Sequence, residues 1–368
     1  MARTIAIVGR HPVLEPGFNA AMSLNEALGF EAHGCKVVLY LPISPEHDPH
    51  DLLDRKGFAS FDALPRYGGQ FEIAPMRSAA DVQGADVLVW QTYRASEHEM
   101  LDQFQGRTLL RTKNSPRVFA QEPERDRRRA QGILKQLDLV ALSLRADLRA
   151  VRQTAPRLAR HFRYVPRGFN VDWLDGAQRG TVPVLGMDRA VKAADGGERA
   201  RRHIIATING LREQLPELHV LTLREQLAEV DREQIPHLPL LDYYHAFMNR
   251  LWLYFPIDFE HSVHAKGYRA LPDGRRLFVG LYENQIVEAQ LAGGLVIARR
   301  GDIPRELLML PDESIVEDYD DIGAIVAKAR AHIDGFEERS ARSRQMARER
   351  HSHLVMTRTW LEAMDAVH

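Results

Sequence analysis

The sequence predicts an α/β protein of two domains. Three observations carry that expectation. Short, continuous apolar runs alternate with amphipathic stretches in both halves of the chain, the pattern of buried parallel strands and the helices that join them. The 368 residues fit two domains of ordinary size. Hydrophobic residues make up 45% and charged residues 27%, which supplies apolar material for two cores.

Composition also narrows function. Lys and Arg total 49 against 50 Asp and Glu, a net charge of −1, so bulk nucleic-acid binding is not expected. The one cysteine, Cys35, excludes an internal disulfide and a multi-cysteine metal site. It follows Gly34 before a strand-like run and reads as a small core residue. Met1-Ala2-Arg3-Thr4 leads straight into a strand without a signal-like apolar region, and no span of about 20 apolar residues follows. The expectation is a cytoplasmic protein, with peripheral membrane contact left open.

The elements follow in order. IAIV at 5–8 is a buried strand, 9–17 a loop with Pro12 and Pro16, and 18–33 a helix by the spacing of Phe18, Met22, Leu24, Leu28 and Ala32. Gly34 closes it, and KVVLYL at 36–41 is the next strand. This βαβ unit lacks the G-x-G-x-x-G of dinucleotide binding. Residues 42–80 read as irregular, punctuated by prolines and Gly68-Gly69. There His47 and His50, beside Asp48 and Asp51, fit either a metal site or a solvated loop. DVLVW at 86–90 is a strand, and 107–111 with 117–120 bracket a proline turn. Arg125, Arg127, Arg128 and Arg129 in EPERDRRRA suit an anionic acceptor or a membrane headgroup. The other reading is a solvated helix start balanced by Glu122, Glu124 and Asp126. LDLVAL at 137–142 is a strand, Ser143 caps a helix over 144–153, and FRYV at 162–165 is the next apolar run. Residues 175–183 read as a linker.

The second half opens on VPVL at 182–185. Arg189 and Lys192 then offer a fork of donors and a point charge for phosphate, with Arg199, Arg201 and Arg202 as alternatives and a plain surface loop as the other reading. A helix over 203–215, a strand at 219–223, a helix over 240–249 and a strand at 251–255 follow. Residues 256–276 form a polar insertion. Its His261 and His264 with Glu260 fall short of a zinc site without a further ligand fixed elsewhere. The chain ends on an amphipathic helix over 320–333 and the stretches 339–350 and 351–364.

The stretch at 280–302, GLYENQIVEAQLAGGLVIARRGD, carries the chemistry. Residues 283–292 form a helix closed by Gly293-Gly294, and LVIA at 295–298 is a buried strand. In an open α/β sheet ligands bind at the carboxyl ends of the strands, where the loop 281–284 sits. The helix N-terminus suits phosphate, while carboxylates suit sugar hydroxyls. Glu283 and Glu288 therefore point to a ligand with both a pyrophosphate and hydroxyl-rich rings. The competing reading is an amphipathic helix with Glu283 near its positive end and Glu288 in solvent.

VEAQLAGGLVIA resembles the "EA-x-A-x-G-x-P-V-I-A" segment of the retaining GT-B glycosyltransferases. SLRADLRAV with FRYVPRGFNVDWL resembles that family's "V-I-P-N-G-V-D" boundary segment, and RRGDIPRE its "G-x-P-E" turn. ARERHSHLVMTRTWLEAM resembles its closing "A-R-E-R-F-S-W" helix. The resemblance implies two Rossmann-like domains facing each other across a cleft: 1–174 on the acceptor side, 182–345 binding the nucleotide-sugar, and 346–368 crossing back. It implies transfer of a glycosyl group from a nucleotide-sugar to a hydroxyl acceptor (glycan, lipid-linked or natural product). It also implies that the anomeric configuration is retained and that no metal or other cofactor takes part. Glu288 would hold the donor ribose, Arg189 and Lys192 the diphosphate, and Glu283, Asn284 and Gln285 would face the sugar. The family's first glutamate, which contacts the sugar ring, falls at Gly280, so either Glu283 takes over the lost role as a catalytic candidate or the sugar site is altered. His11 and Gly17 lie in the loop matching the acceptor side, with His11 a second catalytic candidate or a plain surface-loop histidine. A nucleotide-sugar epimerase, a non-catalytic sugar- or nucleotide-binding module and a regulator built on a degenerate transferase are the rivals.

Overall fold

Continuous apolar runs with both neighbours parallel must be buried on both faces, and the strands of this chain obey that rule. The computed structural model describes residues 2–14, 18–43, 48–90, 103–111, 137–154, 156–157, 159–187, 197–222, 229–236, 238–256, 268–270, 276–278, 284–300, 303–318 and 321–366. The chain divides into two units. One comprises Met1–Phe169, Arg269–Tyr282 and Arg350–His368, the other Asn170–Tyr268 and Glu283–Glu349.

The first unit contains β1 (Thr4–Val8), α1 (Phe18–Ala32), β2 (Lys36–Pro42), α2 (Pro49–Asp54), β3 (Glu72–Met76), β4 (Val87–Trp90), β5 (Arg107–Arg111), β6 (Leu139–Leu142), α3 (Arg145–Thr154) and β7 (Phe162–Tyr164). Seven strands form one parallel sheet in the order β3-β2-β1-β4-β5-β6-β7. The order reverses beside β1, where Ile5 lies between Val37 of β2 and Val87 of β4. Two elements arise inside the stretch the sequence marks as irregular. Asp48 caps α2 by accepting from the His50 N–H at 2.9 Å, so that aspartate serves a helix end. Strand β3, EIAPM, contains Pro75, which is tolerable because β3 is the edge of its sheet.

The second unit contains β8 (Val184–Met187), α4 (Gly197–Gln214), β9 (His219–Thr222), β10 (Glu233–Gln234), α5 (Leu240–Ala246) and β11 (Leu253–Tyr254). A two-stranded ribbon, β12 (Tyr268–Ala270) and β13 (Arg276–Phe278), follows in sequence. After it come α6 (Asn284–Leu291), β14 (Leu295–Val296), β15 (Ala298–Arg299), α7 (Pro311–Ser314), β16 (Ile315–Val316), α8 (Ile322–Asp334) and α9 (Phe336–His351). The sheet order is β10-β9-β8-β11-β14, and its pairings are parallel. Leu185, Val220, Leu253 and Leu295 from the strands meet Ile204, Ile208 and Leu211 of α4 and Ile325 and Ala329 of α8 in one core. LVIA is not one strand. Leu295 and Val296 pair with β11, while Ala298 pairs with Ile315 in a separate ribbon. The expected helix over 240–249 also breaks, at Phe247, and continues as a 3-10 turn, Met248–Arg250.

The last helix, α10 (His353–Asp365), belongs to the first unit. Phe169 N–H donates to the His351 carbonyl and His353 N–H to that of Phe169, each at 2.9 Å, and Ser352 caps the helix through the Val355 N–H. Helix α10 lies against α1 at Gly29, where a Cβ would sit 2.6 Å from the Thr357 side chain. Only glycine permits that approach. Trp360 and Met364 are buried, and Leu361 is partly so. Among the described residues no helix is long and apolar enough to cross a membrane.

Candidate functional site

Helix α6 leads into β14 through a three-residue turn, so its N-terminus lies toward the carboxyl ends of the parallel strands. That is where ligands enter such sheets. Asn284 opens the helix buried, Gln285 is half-buried, and Glu288 stands one turn further on, only 6% exposed. Glu288 is therefore not the solvated residue of an amphipathic helix. Its Oε1 accepts from the Tyr244 hydroxyl at 2.8 Å. An ionised carboxylate is acceptor-only, so the phenol must be the donor. The Tyr244 phenol is held well above its ordinary range, first by burial and then by the Glu288 charge and hydrogen bond, which keeps the proton on tyrosine.

Both helices carrying this pair are fixed. On the α5 side, Asn249 donates to the Trp173 carbonyl at 2.9 Å and accepts from the Gly176 N–H at 3.3 Å. Tyr243 stacks on Phe247. On the α6 side, Gln290 is buried and donates to the carbonyls of Ile286 and Leu307, while its Oε1 accepts from the Met309 N–H at 2.7 Å. That one amide stitches the loop around 307–309 to the helix. Past the helix, Gly293 takes φ +87°, and its carbonyl accepts from Ser340 Oγ at 2.6 Å. Arg179 donates to the carbonyls of Leu251 at 2.9 Å and Ala292 at 2.6 Å, with its guanidinium over the Phe336 ring.

In the first unit, His11 follows β1 at the point where the strand order reverses. It is buried. Nε2 lies 2.9 Å from the Pro65 carbonyl, and Nδ1 accepts from the Val13 N–H at 3.3 Å. These partners fit a neutral ring protonated on Nε2. The histidine titrates below its ordinary 6.5, chiefly through burial and also through Arg66, with the Pro65 carbonyl opposing. Tyr67 stacks on the ring and holds φ +51°, a left-handed conformation uncommon for a bulky residue. At the carboxyl end of β5, Arg111 forms a fully buried ion pair with Glu26 of α1 at 2.5 Å.

The structure thus brings Asn284, Gln285 and Glu288 together on α6 and places His11 in the first unit. Gly17, Arg189, Lys192, Gly280 and Glu283 lie outside the described residues, as do the arginine run at 125–129 and His47, Glu260, His261 and His264. Sequence reasoning missed Tyr244, Gln290 and Arg179. The signal for Gln290 was slight, one of three amides in the helix, flanked by Ala289 and Leu291. Among the described residues no three His, Cys, Asp or Glu side chains gather as a metal site would require.

No protein-family model and no curated protein sequence matches the chain. Solved structures do match its fold. A glycosyltransferase from Rickettsia africae aligns with a TM-score of 0.62 at 12% identity, covering 100% of this chain and 98% of its own. Anabaena HepE in complex with UDP aligns with a TM-score of 0.60 at 12% identity over 99% and 100% of the two chains. A putative UDP-N-acetylglucosamine 2-epimerase from Listeria monocytogenes reaches 0.56 at 12% identity over 100% and 96%. At such identities the likeness establishes the fold. The chain is an α/β protein with the parallel sheets of the GT-B structures.

Proposed function

We propose that the chain is a glycosyltransferase that moves a sugar from a nucleotide-sugar donor to a hydroxyl acceptor. The observation that carries this reading is the buried, tyrosine-held carboxylate of Glu288 on the helix that enters from the carboxyl side of the second unit's sheet. An ionised carboxylate accepts hydrogen bonds, and the vicinal hydroxyls of a ribose are paired donors of the matching kind. The GT-B fold shared with a UDP-binding protein supports the same ligand class.

In this reading Glu288 holds the ribose, and Asn284, Gln285 and Glu283 face the donor sugar beside Gly280. Arg189 and Lys192 meet the diphosphate. Charge builds on that group as the glycosidic bond breaks, and fixed donors stabilise it most there. Basic side chains then serve in place of a metal, and the reaction retains the anomeric configuration. His11 and Gly17 belong to the acceptor side, and the protein works in the cytoplasm.

The test is a thermal-shift panel of UDP-, GDP-, ADP- and dTDP-sugars, without and with divalent metal. A ligand that binds only the native state raises its melting temperature. A shift with one nucleotide, followed by acceptor-dependent release of its diphosphate, is the expected result. Because one structure of this fold is a putative epimerase, the sugar recovered is also checked for inverted configuration. Inversion of the free donor would replace transfer by epimerisation. Binding without any turnover would favour a non-catalytic module, with Gly280 in the place of the first glutamate as its sequence mark.

A further inference from the structure

The Tyr244 hydroxyl donates to Glu288 Oε1 at 2.8 Å, a contact between two buried side chains. The contact joins residues 44 positions apart in sequence on two helices, and each helix has further anchors. Asn249 ties the end of the α5 segment to Trp173 and Gly176. Gln290, Arg179 and Ser340 fix α6 and the turn after it. A carboxylate held between two such elements has little rotational freedom. Geometry set by packed elements in this way is how binding groups are preorganised.

We infer that Tyr244 is a positioning residue: its hydroxyl orients the Glu288 carboxylate toward a ribose diol and so sets a preference for ribonucleotides over 2′-deoxyribonucleotides. This rests on the reading of Glu288 as the ribose ligand. The chemistry is that of paired acceptors. A carboxylate aligned with a cis-diol accepts from both hydroxyls, and a 2′-deoxyribose offers only one. A carboxylate free to rotate forms one good bond with either sugar. Fixing the rotamer therefore matters more for the two-hydroxyl ligand than for the one-hydroxyl ligand. The phenol ring carries no part of the ligand contact itself; its role acts through Glu288.

Binding constants of UDP, GDP and ADP and of their 2′-deoxy forms are measured by calorimetry on wild type and Tyr244→Phe. Wild type is expected to prefer the ribo form of its nucleotide by about tenfold, the scale of one hydrogen bond to a charged group. Tyr244→Phe is expected to weaken the ribo form severalfold, to leave the deoxy form nearly unchanged, and so to collapse the preference. A merely structural tyrosine would weaken both forms alike and keep their ratio, which overturns the inference while the ribose reading stands. A wild type that binds no nucleotide, or binds ribo and deoxy forms equally, removes the ribose reading and the inference with it. Should Tyr244→Phe fail to fold, Glu288→Ala, which leaves no side-chain group for the hydroxyl to orient, is compared with Glu288→Ala/Tyr244→Phe. If the tyrosine acts through Glu288, these two bind alike. A further loss in the double variant shows that Tyr244 acts by another route and overturns the inference.

Discussion

A buried carboxylate is expensive unless donors surround it, and Glu288 is 6% exposed with Tyr244 at 2.8 Å. Glu288→Gln keeps an acceptor for Tyr244 while removing the charge. It should weaken nucleoside-diphosphate binding about tenfold or more and leave the unfolding midpoint nearly unchanged. Unaltered affinity in calorimetry would take Glu288 out of the binding site. Gln290 predicts the converse. Gln290→Ala strands the Leu307 carbonyl and the Met309 N–H inside the protein, at a cost of about 2–4 kcal/mol. Denaturant unfolding would show the loss, and a stability within error of wild type would mean the loop finds other partners. At this scale the sequence was half legible. Glu288 lay in a local pattern that marks a helix entering from the carboxyl ends of a parallel sheet. Tyr244 could not be found from LLDYYHAF, because nothing local says that a tyrosine will meet a glutamate 44 residues away. His11 was placed in its loop, but its burial depends on Pro65 and Tyr67, whose approach no local pattern encodes.

Elements were legible where one rule governed them. β1, β2, β4 and β6 of the first sheet carry continuous apolar runs, and α1 ends just before Gly34. They were lost where two rules competed. Strand β3 was hidden by Pro75, because proline argues against a central strand but not against an edge. LVIA looked like one strand because burial does not reveal that Leu295–Val296 and Ala298–Arg299 pair in different sheets. The glycine-rich stretch at 175–183 read as a linker, yet it carries Arg179 into the second unit. The carbonyl of Ala292, just past α6, is one of those a helix end leaves without an intrahelical donor, and Arg179 supplies that donor along with a bond to Leu251. Burial, with Arg344 adding to it and Glu337 opposing, brings the guanidinium down to about 10, still charged at neutral pH. Arg179→Ala should destabilise the second unit by about 2–4 kcal/mol, and Arg179→Lys should not restore it, since an ammonium lacks the planar fork. Full rescue by lysine would show that charge alone matters there.

At the scale of the whole molecule, each unit holds a buried neutral histidine. His351 in the first unit lies 3.2 Å from the Arg167 carbonyl through Nδ1, and burial is the main cause that brings it to about 4, with Arg350 adding and the carbonyl opposing. His332 in the second unit is also brought to about 4, by burial first and then by Arg339 and Lys328, against a weak pull from the Val296 carbonyl. Unfolded, both return to the ordinary 6.5. Between those values the unfolded chain binds more protons than the folded one, so stability rises with pH. The contribution is complete above pH 6.5 and is lost as the pH falls through 4, by up to about 3 kcal/mol for each histidine. His11 shifts in the same direction and adds to the loss. Glu233, lowered to about 2 mainly by its hydrogen bond from Arg250, loses its contribution chiefly below its ordinary 4.5. Urea unfolding at pH 7 and pH 5 should therefore show lower stability at pH 5. His332→Leu, which removes the ring and its proton uptake, should flatten the slope for the second unit. A stability that stays level or rises on acidification through that window would mean that these rings take up protons in the folded protein without cost.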